Sequence, residues 1–381
     1  MICLIDLPLE ILVRITEFLF HTDILRLSAC SKLLSELRFA AKFRDKIQFE
    51  CIFKLSYFDS FENVFFGVSN TEAIFPKLLR KILLCGRIKI SQFPDTIMCL
   101  KTNTDYNQPF PQFPNSLLRL ELGSNYNQPL PQFPNSLLRL KLGGSYNQPL
   151  PQLPNSLKSL NLGWYYNQPL PYLPDSILHL ELNSYHLLLQ QLPNSLTHLD
   201  IGFDHNSPLP QLPNSLTHLY LGYKYNYPLP SLPNSLLYLK LGFRYNRPLL
   251  SLPNSLLHLT IGRNYDHSLP SLPDTLTYLE IWNNHDSSLP QLPVSLLHLK
   301  LGHSFNQPLS QLPSSLTHLE LCSYYSHQLP QLPDSLTNLK ICPYYELPLP
   351  HLPKSLRYLS VGRNMKLPAL SPEIIVDYRR Y

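Results

Sequence analysis

Histidine and tyrosine recur at one position of a repeated segment between residues 179 and 318. Imidazole and phenol groups can bind metal, transfer protons or contact a partner, so this row is the first candidate for chemistry. Side chains spaced one repeat apart along a line do not surround a tetrahedral ion, and no cysteine or carboxylate set joins them. We predict no metal site for the row, which consists of His179, His198, His218, Tyr238, His258, Tyr278, His298 and His318.

Motifs for catalysis are missing from the sequence. It contains no nucleophile elbow, no glycine-rich phosphate loop, no metal motif and no paired-carboxylate site. A cluster of acidic residues on one sheet face would favour a hydrolase built on a β-solenoid. The residues beside the row are instead mixed in charge, which does not favour that function. We therefore expect no catalytic residues, no cofactor and no enzymatic activity.

Prolines mark a repeat that runs through most of the chain. They head near-identical segments, and successive prolines are 20 residues apart, except for one step of 19. A short fixed period predicts a solenoid, in which each coil buries its apolar face against its neighbours. The prolines are Pro94, Pro114, Pro134, Pro154, Pro174, Pro193, Pro213, Pro233, Pro253, Pro273, Pro293, Pro313, Pro333 and Pro353.

The segment of residues 134–153 shows how one coil should fold. Its opening Pro-Asn-Ser is typical of a turn, because proline fixes φ and the other two side chains can bond nearby backbone groups. The Leu-Lys-Leu stretch at 140–142 alternates as a strand with one buried face, and Gly143 ends it. The prolines of the return path exclude a helix, and we expect Leu150 and Leu153 to enter the core.

The spacing L-x-x-L-x-L resembles that of leucine-rich repeats. The stretches Tyr-Asn-Gln-Pro-Leu at 126–130 and Phe-Asn-Gln-Pro-Leu at 305–309 resemble more closely the FNIP repeat. That repeat is a relative of the leucine-rich repeat, abundant in amoebae and in giant viruses that infect them; this chain uses tyrosine more than phenylalanine. The resemblance implies a mainly β fold, a leucine-rich-repeat-like β-solenoid of about 14 twenty-residue coils over residues 94–371.

The repeat weakens at both ends of this region. Pro76 is followed by Leu79 and Ile82 at the offsets of the clear coils. We predict a linker and degenerate capping coils over residues 48–93, because a solenoid must close the exposed end of its core. Residues 372–381 are predicted to form a partial final coil or tail.

The first 47 residues follow a different, helical pattern. Apolar positions between residues 11 and 19 fall on one helical face, and Thr22 or Asp23 can cap a second helix. Leu-Pro at 7–8, Glu-Ile-Leu at 10–12 and the block from Asp23 to Lys32 resemble an F-box. We predict a small α-helical F-box module over residues 1–47.

The F-box resemblance implies docking on the Skp-type adaptor of a cullin–RING ubiquitin ligase. The chain departs from the family at Leu33 and Leu34, where an aromatic residue is often found. The alternative is an ordinary helical cap that uses the same leucines as solenoid core. Adaptor contacts implied by the resemblance fall on Leu7, Pro8, Ile11, Leu12, Ile15, Leu19, Leu25, Leu27 and Cys30.

Composition narrows the classes of partner and compartment. A formal charge of +5 without a Lys/Arg block predicts neither a nucleic-acid nor a membrane partner. Seven cysteines, an odd number without CxxC spacing, are typical of reduced thiols. The N-terminus has no basic segment of the signal-peptide kind. We expect a cytoplasmic or nuclear protein, in the host cytoplasm if the chain is viral.

These patterns favour a two-part interaction protein. We predict a substrate-recognition adaptor of an SCF-type cullin–RING ubiquitin ligase, with the F-box docked on the Skp-type adaptor and the solenoid bound to an unidentified protein target. The alternative is a ligase-independent protein-binding scaffold or decoy. The histidine and tyrosine row has two interpretations: a target-binding surface, or surface residues copied by duplication without a selected partner.

Overall fold

Short parallel strands dominate the fold. The computed structural model describes residues 47–48, 63–66, 76–77, 79–282, 288–302, 305–321, 325–363, 365–368 and 370–379. The chain divides into two units, residues 1–177 and 178–381. Every helix or strand in the described ranges is a β-strand, so each unit is a parallel β-solenoid and the predicted fold class is confirmed. The predicted F-box module, apart from residue 47, lies outside the described residues.

In the first unit, each strand from β1 to β6 pairs in parallel with the strand that follows it along the chain. Val64 lies opposite Ile82, which lies opposite Leu100, so the strands before the clear repeats join the same sheet. The described strands of this unit are β1 (Ile47–Gln48), β2 (Asn63–Phe66), β3 (Lys81–Leu84), β4 (Cys99–Thr102), β5 (Arg119–Glu121), β6 (Arg139–Lys141) and β7 (Ser159–Asn161).

The second unit repeats the arrangement, again with each strand parallel to the next. Leu180 lies opposite Leu199, and Leu199 lies opposite Leu219, so the register follows the repeat period. Its strands are β8 (His179–Glu181), β9 (His198–Asp200), β10 (His218–Tyr220), β11 (Tyr238–Lys240), β12 (His258–Ile261), β13 (Tyr278–Ile281), β14 (His298–Leu301), β15 (His318–Leu321), β16 (Asn338–Lys340), β17 (Tyr358–Gly362) and β18 (Ile375–Arg379).

A leucine core runs inside each unit. In the coil of residues 134–153, Leu137, Leu140 and Leu142 are almost fully buried. Leu150 and Leu153 of the return path are buried as well, which confirms the predicted inward side chains. Each coil contributes apolar side chains from its turn, its strand and its return path, and stacking on the next coil removes them from water.

The Pro-Asn-Ser-Leu segment forms the predicted turn, but its serine bonds to another coil. Leu137 N–H donates to Pro134 O at 3.1 Å and closes the turn. Ser156 Oγ donates to Leu137 O, one coil earlier, at 2.7 Å. The expected bond to nearby backbone is therefore wrong for the serine hydroxyl, because the carbonyl of the preceding turn lies within its reach.

Asparagines of the Asn-Gln-Pro segment also join successive coils. Asn127 Oδ1 accepts the backbone N–H of Asn147 at 2.9 Å, and Asn147 Oδ1 accepts that of Asn167 at the same distance. These bonds satisfy backbone donors on the return path, where no sheet ladder is available. The asparagine of the repeat thus has a structural role.

The 19-residue coil keeps its strand in register. His179 on β8 lies opposite His198 on β9, as in the 20-residue coils. The shortening falls in the following turn, where Asn183 has φ 52° and Gly202 of the next coil has φ 69°. Asparagine and glycine tolerate this left-handed conformation better than other residues. The missing residue therefore changes the turn without changing the sheet face.

Candidate functional site

The eight residues of the predicted row lie side by side on one sheet face of the second unit. Strands β8 to β15 each contribute one of them, and the strand register places each beside the next. We call this set the ring column. It consists of His179, His198, His218, Tyr238, His258, Tyr278, His298 and His318.

Stacking holds the ring column together. The centroids of neighbouring rings lie between 4.0 and 5.9 Å apart. The closest pair is His198 and His218, at 4.0 Å and nearly parallel. The loosest contacts are on the two sides of Tyr278, whose hydroxyl lies 3.4 Å from Glu280 Oε2. Offset stacking of this kind fixes the rings and leaves their edges to face outward.

Charged residues form a second row beside the ring column on strands β13 to β16, two positions after the first residue of each strand. Lys300 Nζ lies 2.9 Å from Glu280 Oε1, and Lys340 Nζ lies 3.7 Å from Glu320 Oε2. Opposite charges on adjacent strands offset one another and favour the observed register. A shallow depression of about 110 Å³ lies on this part of the face, between the rings and the ion pairs.

Burial lowers the pKa of five histidines in the ring column, because a partly buried imidazolium loses hydration. Repulsion from a neighbouring imidazole adds to this effect at several of them: at His198 and His218 the neighbours include His179. The neutral imidazole is therefore favoured at each position. The five are His198, His218, His258, His298 and His318.

Threonines next to three of the histidines hold the imidazole rings in place. Thr197 Oγ1 lies 2.9 Å from Nδ1 of His198, and Thr217 Oγ1 lies 2.8 Å from Nδ1 of His218. Thr317 and His318 form the same pair at 2.9 Å. The Thr-His-Leu triplet is visible in the sequence. The sequence alone does not show that each threonine hydroxyl also bonds to a backbone carbonyl of the preceding coil, because that bond depends on how the coils stack.

A second aromatic column, inside the core, was missed by the sequence reasoning. The tyrosine of the Tyr-Asn-Gln-Pro segment points inward, and in the first unit Tyr126 and Tyr146 stack at 6.2 Å. His205 and Phe305 take the same position in two other coils and are also buried. The available signal was an aromatic residue that recurs after the strand in most of the coils.

Hydroxyl groups of this inner column differ in their bonding, which predicts opposite effects of removing them. Tyr126 Oη is buried without a hydrogen-bond partner, whereas Tyr325 Oη accepts Leu309 N–H at 3.2 Å. We expect Tyr126→Phe to raise the free energy of unfolding by about 1 kcal/mol and Tyr325→Phe to lower it by about 1 kcal/mol. Urea unfolding of both variants measures this, and changes of equal sign would contradict it.

The adaptor-contact residues implied by the F-box resemblance are not part of the described structure. Leu7, Pro8 and the other seven positions all precede residue 47. Among the described residues, no group of three or more histidines, cysteines and carboxylates is placed to hold a metal ion. Nor does that part of the chain contain a helix long and apolar enough to cross a membrane.

Solved structures similar to this chain are leucine-rich-repeat proteins. CroV588, described as a novel circular leucine-rich-repeat structure, is 29% identical with a TM-score of 0.61. The match covers 84% of this chain and 62% of CroV588, so the chain spans less than two thirds of that protein. YopM from Yersinia enterocolitica WA-314 is 23% identical with a TM-score of 0.57, over 78% of this chain and 76% of YopM, and shows the fold alone. A comparison with curated proteins finds no match.

Family comparison identifies the repeats themselves. FNIP Repeat matches overlap or follow one another without a gap from residue 106 to residue 324, in seven segments. This stretch is more than half of the 381 residues and contains most of the inner tyrosines, the asparagine bonds described above and all of the ring column. The segments are 106–145, 126–165, 146–185, 166–204, 205–244, 245–284 and 285–324. The chain therefore belongs to the FNIP repeat family.

Proposed function

We propose that the chain is a non-catalytic substrate-recognition adaptor of an SCF-type cullin–RING ubiquitin ligase. In this proposal, the F-box module docks on the Skp-type adaptor and the solenoid binds the protein to be modified. The chain supplies proximity, and partner enzymes carry out the conjugation. Its compartment would be the cytoplasm or the nucleus, where such ligases act.

The ring column is the observation that carries the target-binding half of the proposal. Eight stacked rings lie on one partly exposed sheet face. Histidine and tyrosine combine an apolar body with a polar edge, and aromatic residues are enriched at protein interfaces. Because stacking orders the rings before a partner arrives, little side-chain entropy is lost on binding.

A second aromatic surface in the same unit supports a protein partner. Phe203 and Tyr223 stack at 4.7 Å, and Tyr223 and Phe243 stack at the same distance. Arg244 lies over the Tyr223 ring and Arg263 lies over the Phe243 ring. Phe203 is 46% exposed and continues into the stacked rings of Tyr223 and Phe243, and a contiguous aromatic surface of this kind is suited to contact a partner.

The ligase half of the proposal has its support in the N-terminal sequence. Leu-Pro at 7–8 and the block from Asp23 to Lys32 occur together at the separation found in F-boxes. A leucine-rich-repeat-like solenoid after such a module is suited to present a target. The alternative function is a ligase-independent scaffold or decoy, which would use the solenoid surface alone.

A pull-down from amoebal cell extract tests the ligase half. We expect the intact chain to capture the Skp-type adaptor and cullin, and the Leu7→Ala/Pro8→Ala/Ile11→Ala variant to lose both by about tenfold or more. Removing these apolar side chains eliminates the implied adaptor contact. Mass spectrometry of the captured proteins gives the readout.

The matched control is Leu250→Ala, which removes a leucine that is 92% exposed on the solenoid. It should capture as much adaptor as the intact chain. Failure of the intact chain to capture the adaptor would contradict the ligase function and favour the scaffold. Equal capture by the triple variant would show that these three residues do not form the contact.

A further inference from the structure

Two arginines of the second unit lie over stacked aromatic rings. The guanidinium carbon of Arg244 is 5.6 Å from the centroid of the Tyr223 ring, and that of Arg263 is 5.7 Å from the centroid of the Phe243 ring. The two rings stack on each other at 4.7 Å, so the arginines of two adjacent coils share one aromatic support. Because a ring face attracts a cation, these contacts restrict the rotamers of two long side chains. We call this set the arginine platform.

The two guanidiniums of the arginine platform have no anionic partner among the described residues. Both arginines are exposed, and their side-chain contacts are the ones to the rings. The neighbouring cation differs, because Lys224 Nζ lies 2.7 Å from Asp204 Oδ1. The N–H donors of Arg244 and Arg263 therefore face solvent, where an anion can accept them.

The charges near the arginine platform are mostly positive. Lys240, three residues before Phe243, is exposed at the end of β11 and forms no ion pair within the described ranges. Asp266 is the nearest carboxylate after Arg263 along the chain, and it forms no ion pair with that arginine in the part of the chain that the structure describes. The surface is therefore complementary to a ligand with several negative charges.

We propose that the arginine platform, formed by Tyr223, Phe243, Arg244 and Arg263, binds an extended acidic segment of the target protein. Alternate side chains of an extended chain point to the same side, about 7 Å apart, so two carboxylates of one segment can reach guanidiniums on adjacent coils. The paired N–H donors of each guanidinium match the two oxygens of a carboxylate. The inference rests on the proposed target-binding role of the solenoid.

The ring geometry favours a protein segment over a nucleic acid, the other common anionic polymer. Proteins bind single-stranded nucleic acids by stacking bases on free aromatic faces. Phe203, Tyr223 and Phe243 stack on one another at 4.7 Å, which leaves no room for a base between them. The other face of Phe243 is covered by Arg263. The platform thus presents guanidinium donors to a ligand, and its ring faces support those donors.

Binding of three labelled probes to the intact chain tests this assignment. The first probe is a fluorescein-labelled peptide of alternating glutamate and serine. The second is the same peptide with arginine in place of glutamate, and the third is a fluorescein-labelled oligothymidylate. We expect fluorescence anisotropy to show that the glutamate peptide binds most tightly of the three. The net charge of +5 attracts any anion weakly, so variants must locate the binding.

The variant Arg244→Gln/Arg263→Gln removes the two guanidiniums. We expect it to weaken binding of the glutamate peptide by about tenfold or more, because two charge-assisted contacts are lost. The matched control is Arg139→Gln/Lys158→Gln, which removes two positive charges at exposed positions of the first unit. It should change the affinity by less than about twofold, since exposed charges away from the ligand are screened.

A second variant keeps every charge and removes the aromatic support. We expect Tyr223→Leu/Phe243→Leu to weaken binding of the glutamate peptide by about threefold, because the guanidiniums are then no longer ordered before the ligand arrives. The matched control is Trp164→Leu/Tyr165→Leu, which removes two exposed rings of the first unit. The control should bind the peptide as the intact chain does.

Three outcomes would overturn the assignment: tighter binding of the arginine peptide or the oligothymidylate, equal loss in Arg139→Gln/Lys158→Gln, or unchanged affinity of Tyr223→Leu/Phe243→Leu. None of these depends on ligase assembly. A chain that binds the glutamate peptide through the arginine platform but captures no Skp-type adaptor would contradict the ligase function and leave the platform standing. A chain that captures the adaptor but shows any of the three outcomes would do the reverse.

Discussion

Replacing Gly143 by alanine should unfold or severely destabilise the first unit. A Cβ atom at Gly143 would lie 1.9 Å from Gly123 O of the preceding coil, far inside contact distance. Gly163 meets Gly143 O in the same way, at 1.8 Å, so the glycines stack directly on one another's backbone. No side chain can move aside to make room, because the obstructing atom belongs to the main chain.

We expect Gly143→Ala to lower the free energy of unfolding by about 3 kcal/mol, at the upper end of overpacking effects. The neighbouring residue supplies the control. A Cβ at Gly144 would meet nothing closer than Ser124 O at 3.7 Å, so Gly144→Ala should change stability by less than about 1 kcal/mol. Urea unfolding followed by circular dichroism measures both. Equal stability of the two variants would show that the coils can shift apart without cost.

The register of the sheet could be predicted from the sequence because the repeat period sets it. With prolines 20 residues apart, Leu140 and Leu160 occupy equivalent positions, and the structure places them opposite each other. The same reasoning predicted which side chains lie in the ring column. The contacts between rings follow directly from the spacing of parallel strands, which is about 4.8 Å.

The inner tyrosine column could not be predicted in the same way. Tyr126 stands beside asparagine, glutamine and proline, residues that usually indicate an exposed turn. Its burial depends on the distance between the strand and the return path, which a local pattern does not contain. The serine and threonine bonds were missed for a related reason, since Ser156 and Thr217 bond to carbonyls about one coil away along the chain.

Acid should destabilise the second unit through one buried histidine. His205 takes the place of a tyrosine in the inner column, between Tyr185 and Tyr225. It is fully buried; its Nδ1 donates to Tyr185 O, and its Nε2 has no hydrogen-bond partner. Protonation would place a cation in the core, and His186 nearby adds repulsion. Burial therefore lowers the pKa of His205 below its usual value.

The direction of the pH effect follows from this shift. The unfolded chain, in which the histidine pKa is near 6.5, binds the proton more readily than the folded chain. The contribution of the neutral histidine to the free energy of unfolding is fully present above that pH. It falls as the pH decreases toward the lower folded-state pKa, by up to about 1.4 kcal/mol per pH unit. Partly buried histidines of the ring column, such as His198, act in the same direction. A variant at His205 is needed to measure how much of the pH-dependent loss of stability comes from this residue.

We expect His205→Phe to recover about 1–2 kcal/mol of unfolding free energy at pH 5, with a much smaller effect at pH 7.5. Phenylalanine fits the position, since Phe305 occupies it in another coil, and it carries no group that titrates. His351→Phe, at an exposed histidine, is the matched control. Urea unfolding at both pH values gives the comparison. If the two variants lose the same unfolding free energy on acidification, protonation of the buried imidazole is not what weakens this unit. If His205→Phe loses less than His351→Phe, protonation of His205 is a main cause of the acid destabilisation.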